Sequence, residues 1–167
     1  AISFQVLSKK FFYENNLKKY YIPREKIMKL IFKYSKKKVG LIVDEVSHDI
    51  IKFKKRINFF KITGNQAHEI KYLESIKKIS KMTYISNRNV NKKILSYLIK
   101  IASNNKKINI IHTQFNPKEK FAKLNEIKNL SQKLKKNPAF GLHCENKNIV
   151  FLSTFMKPES IFFYIKD

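Results

Sequence analysis

The sequence predicts an α/β fold: a two- or three-layer sandwich of alternating helices and strands around one mixed sheet, with a helical C-terminal end. Three observations predict it. Helical and extended hydrophobic patterns alternate along most of the chain. Only three glycines and four prolines punctuate 167 residues, so regular elements dominate. Hydrophobic residues make up 43% of the chain, enough to build a core.

Taken in order, residues 1–22 are basic and aromatic, with Lys9, Lys10, Phe11, Phe12, Tyr13, Lys18 and Lys19. They read equally as an arm over RNA, with stacked aromatics and lysines on phosphates, or as a helix whose aromatics complete the core. Residues 23–137 carry the alternating pattern of an α/β domain. Pro23 suits a first helical turn, and Ile27, Leu30, Ile31 and Tyr34 form one apolar face. Val39 to Val43 read as a buried strand. A helix with Ile50, Ile51, Phe53 and Ile57 follows, capped by Ser47 or Asp49, then a strand at Phe59 to Ile62. Asn65 can cap a helix holding Ile70, Leu73, Ile76 and Ile79. Met82 to Ser86 make the third strand, Asn91 opens a helix to Ala102, and Ile108 to His112 make the fourth strand. Pro117 and Glu119 begin a helix that runs to Leu134. Residues 138–167 read as a C-terminal helical segment of the same domain: a helix face at Ile149, Leu152, Phe155 and Met156, with a strand over Ile149 to Leu152 as the alternative, and a last helix opened by Pro158 and Glu159 with Ile161, Phe162 and Ile165 on its face.

Charge is the strongest compositional signal. Thirty-six Lys and Arg against 12 Asp and Glu give a formal net charge of +24. Such a load repels itself in a compact fold and is best relieved by a polyanion, nucleic acid above all, with an anionic membrane as the rival partner. Arg24, Arg56 and Arg88 are the only arginines. Lysine suits phosphates and arginine suits base edges, so backbone recognition is expected. The clusters Lys36-Lys37-Lys38, Lys52-Lys54-Lys55-Arg56, Lys77-Lys78, Lys106-Lys107 and Lys133-Lys135-Lys136 are the candidate phosphate-facing surface, to which Lys9, Lys10 and Arg24 add. Cys144 is the single cysteine, which excludes an intramolecular disulfide and suits a reducing compartment. No apolar run approaches the roughly 18 residues of a membrane span. The start at Ala1 reads either as a trimmed chain or as a mature chain after presequence removal.

Motifs that carry chemistry are missing. Leu41 to Glu45 resembles a nucleotide-hydrolase strand ending in Asp44-Glu45, but no glycine-rich phosphate loop accompanies it. His48, His68, His112 and His143 lack metal-ligand spacing, and His143-Cys144 has no second pair. They read as ordinary surface or RNA-contacting histidines. No enzyme activity, metal or cofactor is therefore expected. The one catalytic alternative is a small nuclease that gathers Asp44, Glu45 and Asp49 around Mg²⁺.

In its order of elements the chain resembles the ribosomal stalk-base family, large-subunit protein ten, of mitochondrial type. Four stretches carry the resemblance: Arg24 to Val43; Phe53-Lys54-Lys55-Arg56 with Phe60 to Gln66; Met82 to Leu134; and Phe151 to Ile161. The resemblance implies a structural constituent of an organellar large ribosomal subunit that binds large-subunit rRNA at the stalk base. It implies large-subunit protein eleven and acidic stalk proteins as neighbours, and an organellar matrix, the mitochondrion favoured. Lys54, Lys55, Arg56 and Asn65 would then face rRNA. A different lysine-rich organellar ribosomal protein is the alternative.

Overall fold

The computed structural model describes residues 2–34, 39–45, 48–51, 54–64, 66–68, 70–114, 122–143 and 146–163. Among these described residues, seven strands form one sheet: β1 (Ile2–Gln5), β2 (Val39–Val43), β3 (Phe59–Ile62), β4 (Met82–Ser86), β5 (Ile108–Gln114), β6 (Ala139–Leu142) and β7 (Ile161–Phe163). The helices between them are α1 (Lys9–Glu14), α2 (Arg24–Tyr34), α3 (His48–Ile51), α4 (Ile70–Lys77), α5 (Lys92–Asn104), α6 (Asn125–Leu134) and α7 (Lys147–Thr154).

The strands lie in chain order, and every neighbouring pair is parallel. Parallel neighbours need crossover connections of one hand. When each crossover steps in the same direction, every helix lands on the same face and the sheet curls away from it. The two faces separate by the two-residue period of a strand. Leu41, Phe60, Ile62, Ile85 and Ile108 face outward and pack with Met28, Ile31, Leu73, Leu98 and Leu134 of the helices. Phe59, Tyr84, Ile111, Ala139 and Phe162 meet on the inner face. Phe162 of β7 lies 5.1 Å from Tyr84 of β4 and 5.8 Å from Phe59 of β3, ring centre to ring centre. Those strands stand three and four places away in the sheet, so contact between them requires the curl. Gly40 faces Phe59 across β2 and β3, and a Cβ there would lie 2.0 Å from the Phe59 ring, so glycine makes room for that ring.

The α/β class is as expected, but the sheet is entirely parallel rather than mixed. Hydrophobic runs reveal strands without revealing their direction. Three strands escaped the sequence reading. Residues 2–5, placed in an N-terminal arm, form the edge strand β1 beside β2. Residues 139–142 and 161–163, placed in a helical C-terminal segment, form β6 and β7. The Pro158-Glu159 pair, read as a helix start, instead leads into β7. The start assigned to the sixth helix, Pro117 and Glu119, lies outside the described residues.

Candidate functional site

In a curled parallel sheet, the turns that follow the strands converge on one end, where side chains from separate strands can meet around a ligand. Here that end gathers Ser8 after β1, Asp44 and Glu45 after β2, Thr63 and Gln66 after β3, Asn87 and Arg88 after β4, Thr113 at the end of β5, and His143 after β6.

At the β1–β2 side, Asp44 is fully engaged. It accepts from the Ser8 amide at 2.9 Å, from the Ser8 hydroxyl, and from Nη2 of Arg24 at 2.7 Å. Nη1 of Arg24 reaches Glu45 at 3.2 Å. The Ser8 hydroxyl in turn accepts from the Phe11 amide and so caps α1. A cleft of about 270 Å³ opens here, lined by Ser8, Lys10, Glu14, Gln66 and Tyr72 with the two acids. The Tyr72 hydroxyl is buried without a hydrogen-bond partner among the described residues, and burial together with the Asp44 charge holds its pKa up.

At the β3–β5 side the rim is built of hydroxyls and amides. The Ser86 hydroxyl donates to Thr113 Oγ1 at 2.7 Å and accepts from the Arg88 amide at 3.2 Å. The Thr113 amide donates to the Asn87 side chain at 3.1 Å. Thr63 and Gln66 bond to each other through their side chains. A Cβ on Gly64 would sit 2.2 Å from the Arg88 carbonyl, so glycine lets the β3 turn close onto the β4 turn.

Inside the curl stands Lys61 of β3. Its register partners are Ile42 and Tyr84, both pointing to the same inner face. It is only 4% exposed, and its ammonium lies 5.0 Å from the Phe162 ring centre. Burial pulls its pKa down to about 8. Towards the opposite end, the Tyr84 hydroxyl donates to Glu159 at 2.8 Å, and the Asn109 amide donates to the same carboxylate at 3.2 Å and to the Asn137 carbonyl at 2.9 Å. Burial, more than Glu159, pushes the Tyr84 pKa up to about 12. This lower network closes the floor of the interior.

The residues singled out from the sequence do not assemble into one site. Lys36, Lys37, Lys38 and Asn65 lie outside the described residues. Lys9 and Lys10 are exposed on α1. Lys54, Lys55 and Arg56 form a short 3₁₀ turn before β3, where Nη2 of Arg56 donates to the Phe32 carbonyl at 2.6 Å and its guanidinium covers the Phe32 ring. Arg24 is buried on Asp44 and Glu45 rather than offered to a phosphate. Asp49 falls within α3, and the described residues contain no group of three or more His, Cys, Asp or Glu able to hold a metal. His112 is not a surface histidine: it is buried, stacked on Phe140, with a lowered pKa caused by that burial. Sequence reasoning missed Lys61, and its signal was present: a lone lysine inside the apolar run Phe59 to Ile62.

No family model matches this chain, and no curated protein matches it. Among solved structures, it is similar to the N-acetylneuraminic acid (sialic acid) synthetase of Leptospira borgpetersenii serovar Hardjo-bovis, crystallised with citrate. The TM-score is 0.82 at 20% identity, over 100% of this chain and 63% of that one. The chain thus spans a little under two thirds of that protein's length, and the likeness is one of fold. The chain has a sialic acid synthetase-like fold. This overturns the resemblance to the ribosomal stalk-base family and, with it, the assignment to an organellar large subunit at the stalk base and its ribosomal and rRNA-binding description. Both architectures alternate helices and strands; the sequence pattern that suggested the stalk base does not encode the order in which strands pair.

Proposed function

We propose that this chain is a biosynthetic enzyme that binds a small, anionic, oxygen-rich substrate of the sugar-acid class at the C-terminal mouth of its curled sheet. The observation that carries the reading is Lys61. A cation held in an apolar interior costs stability, and such groups concentrate at sites where their charge is used. The anionic group of the ligand would be met by the Lys61 ammonium. The rim of Ser86, Thr113, Asn87 and Gln66 supplies donors and acceptors suited to hydroxyls. The likeness to a sialic acid synthetase held with citrate, a sugar-acid enzyme with a carboxylate ligand, supports the same substrate class.

This reading departs from the expectation of a non-catalytic chain. That expectation rested on missing contiguous motifs, and a site built from the ends of several strands leaves none. Asp44 and Glu45 are given a positioning role, since Arg24 and Ser8 already hold them. The test is equilibrium binding of N-acetylneuraminate and of citrate to the wild type and to Lys61→Met. Saturable binding that weakens at least tenfold in the variant supports the reading. No binding of either ligand, or equal binding by both proteins, overturns it.

A further inference from the structure

The proposed site leaves most of the +24 charge unexplained. Topology places part of that charge. Helices run back against the strands, so helix C-termini and the segments entering strands lie together on the face opposite the proposed site. Lys77 and Lys78 lead into β4, Lys106 and Lys107 into β5, and Lys133 and Lys135 into β6; all six are exposed. Lysines at helix C-termini favour the helix dipole, and two basic residues here are used that way. Lys136 bonds the carbonyls of Ala102, Asn105 and Ile108, and Arg56 bonds that of Phe32. The dipole does not require a doubled lysine before strand after strand. Acids at this end are scarce among the described residues: Glu74 pairs with Lys77 and Glu159 is bound by Tyr84 and Asn109. Glu14, Asp44 and Glu45 line the cleft at the mouth, and Glu25 and Glu126 stand in the first turns of α2 and α6 at that end; Lys10 of the cleft and Lys92 and Lys93, which open α5, stand there too.

Two apolar features accompany the lysines. At the lower end of α7, Phe151 and Phe155 pack edge to face while standing 64% and 65% exposed, beside Lys157. Between α3 and α4, a mainly apolar groove of about 250 Å³ is lined by Ile51, Phe60 and Ile79, with Lys78 and Lys81 on its lining. Nucleic acid would account for the lysines alone. Lysines together with projecting phenylalanines and a lysine-edged apolar groove fit phosphates that carry acyl chains.

We propose that this face docks peripherally on an anionic phospholipid bilayer, the lysines on headgroup phosphates and Phe151 and Phe155 in the acyl boundary, which leaves the proposed site directed to solvent. The inference is independent of the sugar-acid reading, because its test does not involve the mouth.

The test is co-sedimentation of the whole chain, at physiological ionic strength, with phosphatidylcholine vesicles and with vesicles that also contain phosphatidylglycerol. A single-stranded RNA is titrated in parallel, and mass is followed by light scattering. Binding to the anionic vesicles alone is expected. Lys78→Glu/Lys106→Glu/Lys107→Glu should lower it by at least ~50-fold, from the usual contribution of each lysine near such a surface. Phe151→Ser/Phe155→Ser should lower it roughly tenfold and leave a residue of binding that is more salt-sensitive. Circular dichroism matching the wild type shows that both variants fold. Equal binding to both vesicle types, or lysine variants that bind like the wild type, overturns the proposal. RNA bound more tightly than the anionic vesicles assigns the face to nucleic acid and overturns it. A dimer abolished by the phenylalanine variant, without vesicle binding, assigns the rim to a second copy and overturns it too.

Discussion

Lys61 and Arg24 are two buried cations on neighbouring parts of the sheet end. Arg24 is paired: its guanidinium spans Asp44 and Glu45, and Asp44 is further held by Ser8. Arg24→Ala strands a nearly buried carboxylate and should destabilise the fold by about 3 kcal/mol, read from urea unfolding; a loss under about 1 kcal/mol would mean that Ser8 suffices. Lys61 sits over an aromatic ring in an apolar interior, and its pKa falls from 10.5 to about 8. Below pH 8 the ammonium is charged in both folded and unfolded chains, and its burial costs about 3 kcal/mol. Between pH 8 and 10.5 the unfolded chain holds a proton that the folded chain has released, so stability rises with pH across that window. Lys61→Met should therefore be more stable than the wild type at neutral pH, with the gap closing as pH rises through the window. Urea midpoints of both proteins measured from pH 7 to pH 11 would show a constant gap if burial were not the cause.

At the scale of elements, strands β2 to β5 were legible because each is a run of apolar and β-branched residues between charged segments. Helix α5 was legible because Asn91, an amphipathic face and a clean length agree; its side chain accepts from the Ile94 amide at 2.9 Å. Asn91→Ala should cost about 1 kcal/mol in chemical denaturation, and no loss would mean that the helix end is held by packing alone. Strands β1, β6 and β7 were not legible. They are as short as the legible β3 or shorter, and β6 carries Gly141 after Pro138 and the pair Ala139-Phe140. Their extended form comes from parallel partners far along the chain: β1 pairs with residues about 37 positions on, Ile2 with Val39. Local sequence cannot announce such a partner.

For the molecule as a whole, the alternation of helices and strands gave the α/β class, while strand order and direction decided the architecture. Seven parallel strands in chain order curl, and the curl creates the mouth that the sequence could not show. The same topology gathers carboxylates towards the mouth, where Lys10, Lys92 and Lys93 also stand, and leaves paired lysines with few acids at the opposite face. Of the site, the acids after β2 were visible as a motif without a partner; the role of Arg24 and the inward direction of Lys61 appear only when β1, β2 and β3 are side by side. The central claim is that the mouth takes an anionic sugar-acid ligand on Lys61. Isothermal titration of N-acetylneuraminate from pH 6 to pH 10 tests it most directly. With a free-protein Lys61 pKa of about 8, affinity should be flat below pH 8 and fall about tenfold per pH unit well above it, while Lys61→Met should bind weakly at every pH. Affinity that does not change with pH, or a variant that binds as the wild type does, would contradict the account.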